Sequence, residues 1–124
     1  MKISVYITSF NKIKYIEKSI LSVLSQTLSP YELLVVDDAS TDGSKDLIQS
    51  FANKYPTIIK PIYNKNNLGI AKSRNIALNN ISGDVITYLD ADDYFYPNKL
   101  ENEYNQLIKF PDIDIVYSNF DYID

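Results

Sequence analysis

The 124-residue sequence predicts an α/β domain in which a mostly parallel sheet carries helices on both faces. Three observations lead to this class. Short apolar runs of strand length alternate with segments of helical period, as expected when each strand returns through a helix to a parallel neighbour. One run, YELLVV, is almost uninterrupted, the pattern of a strand covered on both faces. Polar residues follow four of the runs directly, at Thr8-Ser9, Asp37-Asp38, residues 64–67 and Asp90 to Asp93, where ligands gather in such sheets.

Residues 2–8 read as the first strand. Asn11 is expected to cap a helix whose Ile16, Ile20, Val23 and Leu24 stand at i, i+4, i+7 and i+8. Pro30 punctuates, and residues 31–36 form a second strand that stops at Asp37-Asp38. After Asp42-Gly43, the positions Leu47, Ile48, Phe51, Ala52 and Tyr55 repeat the helical stripe until Pro56. Residues 57–63 read as a third strand, placed at a sheet edge by Pro61, which has no N–H to donate. The polar loop 64–67 leads through Gly69 into a helix with Ile70, Arg74, Ala77, Leu78 and Ile81 on one face. Residues 84–89 are expected to form a buried fourth strand. Pro97 suits the first turn of a helix carrying Leu100, Tyr104, Leu107 and Ile108, and residues 113–117 predict a fifth strand. The alternation is Rossmann-like and spans residues 1–124 as a single domain, without repeat or linker.

A 45% hydrophobic content supports one core, and the net charge of −4 argues against a nucleic-acid partner, which would require a basic face. With no cysteine, the chain has no disulfide, thiolate nucleophile or cysteine zinc site, so exposure to a reducing cytoplasm costs nothing. With no histidine, it lacks the usual base near neutral pH and the commonest transition-metal ligand. Chemistry here rests on carboxylates and a hard cation. The start MKISVYITSF has one lysine and a short apolar run, so it reads as a strand and not as a signal peptide. No apolar stretch reaches membrane-spanning length.

Asp90, Asp92 and Asp93 follow the apolar run VITYL, which predicts several carboxylates within a few ångströms at a strand end. Like charges that close raise one another's pKa unless a cation neutralises them. An all-oxygen set suits Mg²⁺ or Mn²⁺, which take one or two carboxylates and complete their shell with phosphate oxygens and water. Ending a strand and capping the next turn is the simpler role for such aspartates. Asp37 and Asp38 stand where an acid often meets a ribose hydroxyl or a base N–H; capping of the following turn is the alternative. Arg74 lies on an apolar stripe, and a guanidinium there needs a carboxylate or phosphate, with Asp38 or a bound diphosphate as the expected partner. Otherwise its stem lies over apolar surface and its head in water. Thr8 and Ser9 can donate to a base carbonyl or make a local turn. Tyr94 and Tyr96 can shield the site or simply pack.

The stretches SVYITSFNKIKYIEKSILSVLSQT, ELLVVDDASTDGS, NKNNLGIAKSRNIAL and SGDVITYLDADDYFYPNKLE, in this order and spacing, resemble the family 2 glycosyltransferases of the GT-A fold. The resemblance runs the length of the chain. It implies that Thr8 and Asp38 contact the nucleobase, commonly uracil, with Asp37 nearby and Arg74 supporting the base pocket. It assigns Asp90 to the ribose or the metal, and Asp92 to Mn²⁺ or Mg²⁺ bridging the diphosphate. The implied activity is transfer of a sugar from a nucleoside-diphosphate sugar to a saccharide or lipid-linked acceptor, as in bacterial polysaccharide biosynthesis. The implied location is the cytoplasm, with peripheral contact at the inner membrane face. The family's carboxylate base lies well downstream of the D-x-D, so it is expected beyond Asp124, and the chain is expected to be the donor-binding part of a longer protein. Asp112, Asp114, Asp121 and Asp124 are not assigned to that role. Ser73 departs from the small apolar residue usual before the arginine.

Two other readings compete. A receiver-type signalling domain has similar length and an acidic pair after a strand, but here the strand ending at Tyr63 is followed by Asn64, and Lys109 sits in a helical pattern. A haloacid-dehalogenase-like phosphatase also uses D-x-D after an apolar strand, yet that motif opens its domain, and here it comes late. A third possibility is a fragment that binds nucleotide without turnover.

Overall fold

The computed structural model describes residues 1–123. Asp124 lies outside the described residues. The chain runs β1 (Ile3–Ser9), α1 (Ile16–Leu24), β2 (Glu32–Asp37), α2 (Ser44–Lys54), β3 (Ile59–Tyr63), α3 (Ile70–Asn80), β4 (Val85–Asp90) and α4 (Lys99–Lys109). The strands form one sheet in the order β3-β2-β1-β4, and each of the three pairings is parallel. All four carboxyl ends therefore share one edge. The strand order reverses beside β1, which makes the β1–β4 seam the topological switch point.

Period-2 alternation divides the core. Val5 and Ile7 of β1, with Leu33 and Val35 of β2, face α1 and α2, where Ile16, Ile20, Val23, Ile48 and Phe51 complete the larger cluster; Leu100 of α4 joins it. Tyr6, Leu34 and Val36 point the other way, against Ala77 of α3. Helices thus cover both faces, three on one and one on the other. Pro61 sits in β3, which is an edge strand as its missing N–H requires.

Four local expectations are corrected. Asn11 does not cap α1: it adopts a left-handed conformation (φ 51°), and α1 begins only at Ile16 after an intervening turn. On α3 the buried face holds Ser73 and Ala77, whereas Ile70 and Leu78 are exposed, because the helix axis lies over β1 and β2 and turns the predicted stripe partly outward. For the same reason α3 covers β1 and β2 and meets β4 chiefly through the Arg74 side chain. That strand is an edge with Ile86 and Tyr88 about half exposed, not the buried strand expected. Finally, residues 113–117 form no strand: Ile115 and Tyr117 stand 81% and 87% exposed, with no ladder partner among the described residues. Alternating apolar side chains are insufficient without a neighbouring strand to satisfy the backbone.

At the opposite edge of the sheet, the buried carboxylate of Glu32 ties the start of β2 to the α3–β4 connection. Ser4 Oγ donates to Oε1 at 2.6 Å, the Ser82 N–H to Oε1 at 2.7 Å, Ser82 Oγ to Oε2 at 3.0 Å, and the Lys60 ammonium to Oε2. The connection fits so closely that a Cβ on Gly83 would fall against Ser4 Oγ and 2.8 Å from the Lys2 carbonyl oxygen. Burial alone would raise the Glu32 pKa, but these donors outweigh it and bring the pKa from 4.5 to about 2. A folded-state pKa below the unfolded one gives stability that is complete above about pH 4.5 and lost as pH falls toward 2. The shift corresponds to on the order of 3 kcal/mol. Urea unfolding of Glu32→Gln should show a deficit of that order at pH 7 that shrinks steadily as pH falls to about 2. A pH-independent deficit would mean that packing, not charge, carries the effect.

Candidate functional site

The carboxyl edge gathers the acidic and hydroxylic residues that follow β1, β2 and β4. At the end of β1, Thr8 lies on the α3 face and is in register with Asp90 of β4, across the switch point. Ser9 points to the opposite face and is in register with Asp37. Both are buried, and Ser9 Oγ and Asp37 Oδ1 have no hydrogen-bond partner; the other Asp37 oxygen, Oδ2, accepts the Ser40 N–H at 3.0 Å.

Asp38 faces the other way and is fully engaged. Its N–H donates to the Ser9 carbonyl at 2.8 Å, which extends the sheet by one residue. Its Oδ1 accepts the Asn64 amide and the Leu68 N–H, each at 2.8 Å, and its Oδ2 accepts the Gly69 N–H at 2.9 Å. Burial would raise its pKa, but these donors win, and the carboxyl titrates below the ordinary aspartate range. Gly69 takes φ 86°, a conformation that side chains resist, and this turns its N–H toward Asp38 at the start of α3. The neighbouring loops hold two further left-handed residues, Asn11 and Ala39 (φ 63°). Asn11 Oδ1 accepts the Thr41 N–H at 2.8 Å, the Asn11 N–H donates to Ser40 Oγ at 2.9 Å, and the Ile13 N–H donates to Asp42 Oδ2 at 3.0 Å. These bonds join the loops after β1 and β2.

The acidic turn after β4 is held from below by α1. Ser19, Ser22 and Gln26, at i, i+3 and i+7, form a polar strip beside the apolar one. Ser19 Oγ lies 2.8 Å from the Ala91 carbonyl and also contacts the Asp93 carbonyl. Ser22 Oγ accepts the Phe95 N–H at 3.1 Å, and Gln26 donates to the Tyr96 carbonyl at 2.7 Å while accepting the Leu100 N–H at 2.9 Å. The carboxylates above this base do not converge as expected: among the described residues no group of three forms a metal-binding cluster. Two of them are each paired with a cation. An Arg74 Nη donates to Asp90 Oδ1 at 3.0 Å on one side, and Lys12 Nζ meets Asp92 Oδ2 at 2.7 Å on the other. Arg74 therefore pairs with Asp90 and not with Asp38, and its guanidinium lies 5.0 Å from the centre of the Tyr88 ring, which stacks on Tyr6. Its Nε is buried without a partner.

Charge in this turn is finely divided. The Lys12 hydrogen bond outweighs burial and holds Asp92 below the ordinary range. Asp93 is raised, first by burial and then by the charges of Asp92 and Asp90. Neither Asp90 Oδ2 nor Asp92 Oδ1 bonds to another described side chain. Tyr94 and Tyr96 pack edge to face at 6.2 Å, with the Lys18 ammonium 3.7 Å from the centre of the Tyr94 ring.

Sequence reasoning overlooked Lys12 and the α1 strip. The signal for the strip was present in Ser19, Ser22 and Gln26 at helical spacing. Lys12 carried none, being one of 12 basic residues. Phe10, directly after the Thr8-Ser9 pair, is 45% exposed, an unusual position for a large aromatic.

The parallel α/β sheet flanked by helices on both faces is of the GT-A class, and the comparisons agree. Residues 4–124 match the family described as Glycosyl transferase family 2, and the chain belongs to that family. It is 37% identical over 98% of its length to the UDP-Glc:alpha-D-GlcNAc-diphosphoundecaprenol beta-1,3-glucosyltransferase WfgD of Escherichia coli, covering 47% of that protein. Among solved structures, S. aureus TarS 1-349 in complex with UDP-GlcNAc matches with a TM-score of 0.80 and 30% identity, over 90% of this chain and 32% of that one. The mannosyltransferase PcManGT from Pyrobaculum calidifontis, in complex with GDP-Man and Mn²⁺, matches with a TM-score of 0.78 and 26% identity, over 86% of this chain and 32% of that one. The chain spans less than half the length of the curated relatives it matches. Family membership sets aside the signalling-domain and phosphatase readings. No described helix is long and apolar enough to cross a membrane.

Because Asp38 supplies acceptors for three donors of the 64–69 loop, Asp38→Ala leaves the Leu68 and Gly69 N–H groups unpaired. We expect a stability loss of about 2–3 kcal/mol and faster amide exchange at Leu68 and Gly69 by hydrogen-exchange NMR. Unchanged protection at both would contradict this role.

Proposed function

We propose that this chain is the donor-binding part of a glycosyltransferase that moves a sugar from a nucleoside-diphosphate sugar, most simply a UDP-sugar, to an acceptor hydroxyl. The observation that carries the reading is the seam between β1 and β4, where Thr8 and Asp90 stand in register with Arg74 and Lys12 on either side. Cationic and anionic groups alternate there along one ligand-binding edge. A nucleoside diphosphate presents complementary chemistry, with a base rich in donors and acceptors and an anionic diphosphate.

In this reading Thr8 and Asp38 recognise the base. Asp38 Oδ1 already accepts two donors, but Oδ2 accepts only one and keeps a lone pair for a base N–H. The exposed ring of Phe10 offers a stacking surface beside them. Asp37 braces the Ser40 turn behind the base. Arg74 holds Asp90 toward the ribose or the metal.

Asp90 and Asp92 fit a Mn²⁺ or Mg²⁺ ion, since each keeps one oxygen and the ion's remaining ligands are phosphate and water. When bound, the cation supplies positive charge to the departing diphosphate. Transfer forms the bond between the acceptor oxygen and the anomeric carbon. The bond to the diphosphate breaks, and the leaving group carries away the electron pair. The acceptor proton passes to a carboxylate base, a role assigned to no described residue. The TarS and PcManGT complexes support the donor class and the cation, and WfgD, whose name specifies a diphosphoundecaprenol-linked sugar, supports a lipid-linked or saccharide acceptor. We place the activity in the cytoplasm, peripheral to the inner membrane face, and in polysaccharide assembly.

Isothermal titration with UDP and GDP, with Mn²⁺ and with a chelator, tests the reading. UDP should bind in Mn²⁺, weaken at least about tenfold in chelator, and lose its metal dependence in Asp92→Asn, a tenfold change being 1.4 kcal/mol. Equal affinity in Mn²⁺ and chelator would refute the metal assignment.

A further inference from the structure

Within this seam, Lys12 is paired with Asp92. The two residues lie 80 positions apart, on the loops after β1 and β4, and meet at 2.7 Å. Both side chains are substantially exposed, at 38% and 44%, and a pair so exposed contributes at most about 1 kcal/mol to stability. Its strength cannot account for the care with which the loop is built. The loop is tied to the β2–α2 loop through Asn11 and Ile13 on either side of Lys12, with Asn11 held left-handed, while the Lys12 carbonyl accepts the Tyr15 and Ile16 N–H groups, both at 2.9 Å. The Lys12 backbone is thus fixed, and its flexible stem delivers one positive charge to the carboxylate proposed to hold the cation.

We propose that Lys12 is a built-in counter-ion of the donor site, a positioning residue that occupies Asp92 when no divalent cation is bound and turns to the donor's diphosphate when one is. This rests on the donor-site reading. The physical reason is local neutrality. Without metal, Asp90 is compensated by Arg74, and Asp92 would face Asp93 uncompensated but for Lys12. With metal and diphosphate present, the turn no longer needs that ammonium, and the added phosphate charge does. A lysine suits such an exchange because its head is a mobile point charge, without the fixed fork of arginine.

The inference gives two opposite effects from one substitution. In Lys12→Met, Mn²⁺ alone, followed by its electron paramagnetic resonance signal, should bind roughly three- to tenfold tighter, because no ammonium competes for Asp92. In saturating Mn²⁺, UDP should bind about tenfold more weakly by calorimetry while uridine is unaffected, since only the diphosphate loses its partner. Lys12→Arg should restore most of the UDP affinity. A merely structural ion pair would leave the UDP affinity in saturating Mn²⁺ unchanged. The proposal is overturned if Lys12→Met binds Mn²⁺ no more tightly than the unaltered chain, if neither binds it, or if UDP and uridine weaken together. Should the unaltered chain bind Mn²⁺ but no nucleotide, the donor-site reading fails, and with it the diphosphate half of this proposal, while the metal titration still decides the competition for Asp92.

Discussion

The Asp38 carboxylate is the contact on which the arrangement of this edge depends. Three donors converge on it, two of them backbone N–H groups at the entry to α3, and its own N–H continues the β1–β2 ladder. One side chain thereby fixes the end of β2, the 64–69 loop and the start of α3. The position of α3 in turn sets that of Arg74, and Arg74 sets the orientation of Asp90. A buried carboxylate is tolerated here because its donors outweigh the cost of burial, the same balance that Glu32 strikes at the opposite edge. The sheet is thus clamped at both edges by acids whose donors hold them below their ordinary titration range.

Parallel pairing does the rest. Because β1, β2 and β4 all run the same way, each polar turn falls on one edge, and alternation along each strand sorts residues by face. Thr8, Asp38 and Asp90 go to the α3 side; Ser9 and Asp37 go to the α1 and α2 side. Consecutive aspartates therefore have different work: Asp37 braces a turn, and Asp38 holds a helix entry.

The alternation of strands and helices was legible because burial imposes it on local sequence: the stripe Ile16, Ile20, Val23 and the run ending at Val36 can form little else. Pro61 announced an edge strand by its missing N–H. The failures share a cause in tertiary placement. The stripe on α3 gave the helix correctly but misjudged which side met the sheet, since Ile70 and Leu78 look as buriable as Ala77. Residues 113–117 carry strand-like side chains, but no local pattern reveals whether a partner strand stands alongside. At the site, the clusters after the strands were visible as residue types; their partners were not. Arg74 reaching Asp90 and Lys12 reaching Asp92 are contacts between distant segments, set by the register of β1 with β4 and invisible to spacing.

The central claim is that one edge, at the β1–β4 switch point, holds a nucleoside diphosphate and a divalent cation together. The most direct measurement is paramagnetic broadening of amide resonances by Mn²⁺ in the presence of UDP. The account predicts broadening centred on residues 90–93, extending to the ends of β1 and β2 and sparing Ser82 and Gly83 at the opposite edge. Uniform weak broadening, or an effect centred on the Glu32 edge, would contradict it.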